Sequence, residues 1–95
     1  MKPYVVVRHK VQDYAKWKAA FDQHEEIRRK AGSLGAIILR NEDDPQELVI
    51  LMEVNNLQDA RRFIMSDDTR EVMKGAGVID TPTIYLLDQL DRSGA

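Results

Sequence analysis

The sequence predicts an α+β domain built on one four-stranded antiparallel sheet with helices on a single face. Three observations predict it: four short β-branched or alternating apolar runs, two stretches with apolar residues at three- and four-residue steps, and the β-α-β-β-α-β order of these segments. Ninety-five residues, 43% hydrophobic and 32% charged, suit one domain over 1–95, since two would need about twice the length.

The first strand is Tyr4 to Val11, with Val5, Val7, His9 and Val11 on one face and Tyr4, Val6, Arg8 and Lys10 on the other. Asp13 is a suitable N-cap. Tyr14, Trp17, Phe21, His24, Ile27 and Ala31 then trace the apolar stripe of one amphipathic helix, closed by Gly32. Leu34 to Arg40 and Leu48 to Val54 are the second and third strands. The intervening Asn41 to Gln46, with Asp-Asp-Pro at its centre, predicts a looped hairpin rather than a tight two-residue turn. Leu48, Ile50, Met52 and Val54 share one face of the third strand, and Val49, Leu51 and Glu53 the other. Asn56 can cap a short helix carrying Leu57, Ala60, Phe63 and Ile64. That helix is interrupted near Ser66, and Asp68 with Glu71 resembles a capping box opening another through Val72, Met73 and Ala76. Gly75-Ala76-Gly77 stops it, Thr83 to Leu87 is the last strand, and Asp91 to Ala95 is a polar tail.

This order is the ferredoxin-like split pattern, with the second helix broken in two. Such a sheet is roofed on one face and bare on the other, yet Val6, Val49 and Leu51 make the bare face apolar. A patch of roughly ten such side chains exceeds the few hundred Å² that a monomer usually exposes. A second copy packed face to face about a two-fold axis is the simplest cover. Burying even about 600 Å² of apolar surface is worth of order 15 kcal/mol gross, before association costs. Arg8 and Glu53 point into that interface with Val6, Val49 and Leu51, and a cross-strand Arg8–Glu53 pair is expected there, joined by Arg40 if its register permits.

Composition removes other classes. The formal charge of −2 offers no basic field for nucleic acid. With no cysteine there is neither disulfide nor thiolate site, and two histidines without a ligand trio predict no metal. The longest apolar runs, Tyr4 to Val7 and Leu48 to Met52, are too short to cross a bilayer, and no secretory leader pattern opens the chain, so a cytoplasmic protein is expected. No Gly-rich phosphate loop, Walker pattern, nucleophile elbow or paired-carboxylate arrangement is present, which removes nucleotide hydrolysis and triad hydrolysis.

The chain resembles the dimeric α/β barrel superfamily, near the antibiotic biosynthesis monooxygenase-like domains. The resemblance runs from Tyr4 to about Leu87. It is carried by Val5-Val6-Val7-Arg8-His9-Lys10-Val11 running into Asp13-Tyr14-Ala15-Lys16-Trp17, by the Glu47–Glu53 strand entering Asn55-Asn56-Leu57-Gln58-Asp59-Ala60, and by Ser66 to Met73 followed by Gly75-Ala76-Gly77-Val78. It implies homodimers with a shared barrel and, in each subunit, a ligand cavity between sheet and helices. It also implies either cofactor-free oxidation of a small aromatic or polyketide-like compound, or a non-catalytic homodimer that binds a small molecule or is purely structural. The haem-degrading branch of the superfamily carries an asparagine, a tryptophan and a histidine where this chain has Val7, Val54 and Met73, so no haem or other cofactor is expected.

Within that frame His9 is the candidate base. By parity it lies beside the expected cavity, where an imidazole can deprotonate a phenol or enol; the alternative is a buried histidine bonded near the strand end. Trp17, Met52, Val54, Phe63 and Met73 are the candidate ligand-binding wall, against a plain reading as core. Tyr14 and Phe21 are read as core, and His24 as a boundary residue with one nitrogen in solvent. Glu25-Glu26 and Arg28-Arg29-Lys30 read as a solvated face, acidic early and basic late to suit the helix dipole.

Overall fold

The structure, a computed structural model, describes residues 2–95. Its elements are β1 (Pro3–Lys10), α1 (Tyr14–Gln23), α2 (Glu25–Lys30), β2 (Ser33–Asn41), β3 (Asp44–Val54), α3 (Leu57–Ile64), α4 (Asp67–Gly75) and β4 (Thr83–Asp88). The four strands form one antiparallel sheet in the order β2-β3-β1-β4. This is the ferredoxin-like arrangement, with the two β-branched strands β1 and β3 at its centre.

Strand parity sorts the side chains. Val5, Val7 and His9 stand opposite Met52, Ile50 and Leu48. Together with Val11, Val54 and Trp17 they form the buried layer under the helices. Val11 continues β1 as a single bridge to Val78.

The first helical stretch is not one helix but two, parted at His24. There the His24 amide bonds back to the Phe21 carbonyl at 3.2 Å, and two side chains take over as donors. The His24 ring donates from Nδ1 to the Ala20 carbonyl at 2.7 Å, and the Arg28 guanidinium donates to the Phe21 carbonyl. Side chains thus satisfy carbonyls that a continuous helix would leave to its backbone. Gly32, with φ of +104°, supplies the left-handed residue that ends α2 and turns the chain into β2.

The hairpin also differs from expectation. Asn41 pairs with Asp44, so Glu42-Asp43 is a tight two-residue turn, and the Asn41 side chain accepts the Asp43 amide at 2.9 Å. Proline is what moves the irregularity elsewhere. Arg40 pairs with Leu48 while Asn41 pairs with Asp44, so the chain around Pro45, which has no N–H for the ladder, bulges out. Asn56 caps α3 by accepting the Asp59 amide at 2.8 Å. The cap of α4 is Ser66, not Asp68: its hydroxyl accepts the Thr69 amide at 3.1 Å, leaving Asp67 and Asp68 in the first turn where the dipole favours them.

The outer face of the sheet carries Val6, Val49 and Leu51 at its centre, all half-buried, flanked by Ile37 (56% exposed), Leu39 (49%), Tyr85 (55%) and Leu87 (43%). The expected Arg8–Glu53 pair does not form, because Glu53 stands opposite Tyr4 and Arg8 opposite Val49, four positions further along the strand. Arg8 instead bridges Glu47 at 2.7 Å and Asp80 at 2.9 Å, while Glu53 meets Lys2 at 3.3 Å. Arg40, opposite the inward Leu48, is on the helix face, its guanidinium 4.9 Å from the Tyr14 ring centre. It takes no part in the outer face.

Candidate functional site

Between the inner face of the sheet and the broken helices lies a cavity of about 600 Å³. The structure places His9, Trp17, Met52, Phe63 and Met73 on its wall, with His24 beside them. Val54, grouped with this wall from the sequence, does not reach it. Its side chain is buried, but it borders a separate void of about 20 Å³ with Ala60 and Ile64, where β3 ends and only core packing remains.

His9 is the unusual member. It is 2% exposed, and its Nδ1 has no hydrogen-bond partner. An unpaired buried nitrogen of this kind costs about 1–3 kcal/mol. The Trp17 ring packs edge-on to it, with centroids 5.7 Å apart and planes at 68°. Phe21 stacks on Trp17 at 4.9 Å. Burial lowers the His9 pKa below the ordinary 6.5, partly offset by its own backbone and by the Asp80 carboxylate. The ring is therefore neutral at physiological pH and holds a lone pair that can accept a proton.

Some wall residues escape the sequence reading. Arg28, assigned there to a solvated face, turns inward: its guanidinium lies 3.5 Å from the Phe21 ring centre and lines the cavity. Asp68 and Glu71 approach the cavity from α4. Thr69, 8% exposed, donates to the Phe63 carbonyl at 2.7 Å and fixes the turn that brings α4 over the cavity. Among the described residues no cluster of three or more His, Cys, Asp or Glu is placed to hold a metal, and no helix is long and apolar enough to cross a membrane.

No family model matches the chain, and no curated relative does. Solved structures do. A Bordetella bronchiseptica protein provisionally assigned as an antibiotic biosynthesis monooxygenase superposes with a TM-score of 0.77 at 19% identity, over 94% of this chain and 97% of that one. A Nitrosomonas europaea protein of the same provisional assignment gives 0.70 at 18% identity, over 98% and 94%. SnoaB, a cofactor-independent oxygenase from Streptomyces nogalater, gives 0.72 at 17% identity, over 96% and 95%. The likeness over nearly the full length of each chain gives this protein the same fold as these antibiotic biosynthesis monooxygenase and oxygenase structures.

Proposed function

We propose that this protein is a cofactor-independent monooxygenase of a small aromatic or polyketide-like compound, working as a cytoplasmic homodimer. The observation that carries the reading is His9: a neutral imidazole with an unpaired nitrogen, buried at the wall of a cavity large enough for fused rings. Retaining such a group against its cost is the behaviour of a site rather than of a core. The solved oxygenase of the same fold supports the same direction.

In this mechanism His9 accepts the phenolic or enolic proton of the substrate. The resulting carbanion-like anion passes one electron to dioxygen, and the radical pair joins through a new carbon–oxygen bond. The imidazolium returns its proton as the peroxide collapses, so that one oxygen atom becomes a ring carbonyl and the other leaves as water. Trp17, Phe21, Met52 and Phe63 keep bulk water from the anion while it persists.

Oxygen uptake with a panel of anthrone-like and hydroquinone substrates tests this. The wild type is expected to consume dioxygen in step with substrate, and His9→Ala to be slower by about a hundredfold or more. Equal rates in the variant would remove His9 as the base; no uptake across the panel would remove the oxygenase reading. The exposed outer face, with Ile37, Leu39, Tyr85 and Leu87 between 43% and 56% accessible, supports the dimer. Sedimentation equilibrium finding only monomer at micromolar concentration would overturn that part.

A further inference from the structure

The cavity has one charged group on its α2 side. Arg28 stacks on Phe21 and donates to the Phe21 carbonyl, yet among the described residues no carboxylate lies within 4.0 Å of its guanidinium. Its nearest acidic neighbours along the helix, Asp22 and Glu25, are exposed and act on it only at a distance; Asp22 is paired with Lys18 and Glu25 with Arg29. A guanidinium has five N–H groups, so the bond to Phe21 leaves most of them free. Its planar fork suits a carboxylate better than any neutral group. On the α4 side the cavity is bordered instead by Asp68 and Glu71, which repel an anion. The otherwise mostly apolar cavity thus carries a cation on one side and carboxylates on the other.

Resting on the oxygenase reading above, we infer that the substrate is an aromatic acid whose carboxylate is held by Arg28, with its hydroxyl-bearing ring turned toward His9. Arg28 is then a specificity residue: it selects anionic over neutral rings and sets which ring edge faces the base. Burial of the guanidinium, which lowers its pKa, agrees with a charge awaiting a partner.

Binding can be read without turnover, because Trp17 is the only tryptophan and lines the cavity. Titrating its fluorescence with hydroxynaphthoate and with naphthol should show the acid binding about tenfold more tightly, the ratio expected for one charge-assisted contact. In Arg28→Met the acid should fall to the level of naphthol while naphthol itself is unchanged; Arg28→Lys should keep part of the preference. Equal binding of the two ligands by the wild type, or a preference that survives Arg28→Met, would overturn the inference. Loss of both ligands in Arg28→Met would make Arg28 a prop for Phe21 and overturn it too. The wild type alone gives a further test: raising salt from about 0.05 to 0.5 M should weaken the acid and spare naphthol, and no change for the acid counts against the contact. A preference for the acid without oxygen uptake would sink the oxygenase reading and keep only the contact between Arg28 and the carboxylate.

Discussion

The two faces of the sheet are made by the same strands and nearly the same residue types, yet they end in different states. On the inner face Val5, Val7, Leu48 and Ile50 are 2% exposed or less. On the outer face Ile37, Leu39 and Tyr85 are about half accessible despite being no less apolar. Apolar alternation therefore reports that a face is meant to be covered, and says nothing of what covers it. The inner face also holds a buried polar group, His9, whereas the outer face pairs its charges near the strand ends, Arg8 with Glu47 and Asp80 and Lys10 with Asp44.

Breaking the outer face should have the largest effect. Leu51→Lys is expected to weaken self-association by about a thousandfold, some 4 kcal/mol, measured by sedimentation; an unchanged dimer would show that this face is not the interface. On the inner face Leu48→Ala should remove about 3 kcal/mol in urea unfolding at any protein concentration, since Leu48 is 0% exposed, and a loss below about 1 kcal/mol would deny that it is core.

His9→Leu sharpens the contrast by separating site from scaffold. Removing the unpaired nitrogen should raise stability by about 1 kcal/mol while abolishing oxygen uptake. Because burial depresses the His9 pKa, the unfolded chain binds the proton more readily. Stability is thus full above the ordinary 6.5 and falls as pH drops below it, a slope that His9→Leu should erase. The smallest effect lies at the outer rim. The Glu47 carboxyl is held low by Asn41 and then Arg8, and that of Asp44 by Lys10. Their stabilisation is present above the ordinary 4.5 and 3.8 and lost as pH falls through the depressed values, and Arg8→Met should flatten the Glu47 part of that acid limb in urea titrations.

The order of elements and both strand faces were legible in the sequence, because period-two alternation in β1 and β3 assigns every side chain to a face once one is known to be buried. Helix continuity was not. The break at His24 depends on side-chain donors, His24 and Arg28, reaching carbonyls one and two turns back, which no periodicity encodes. The same inward turn took Arg28 out of its apparent surface run and into the cavity. Arg8 meets Glu47 rather than Glu53 because the β1–β3 register sets it opposite Val49, two positions from Glu47 and four from Glu53. Val54 shares a face of β3 with Met52, and only the three-dimensional outline of the void separates the two.

The roof over the cavity is laid in short lengths: α1 has 10 residues, α2 6, α3 8 and α4 9. Helices under about 12 residues have little standing of their own and persist only where they are glued to something beneath. The tiles are tied in pairs, α2 to α1 by Arg28 on Phe21 and α4 to α3 by Thr69 on the Phe63 carbonyl. Hydrogen exchange in α2, the shortest, should outrun that of the central strands.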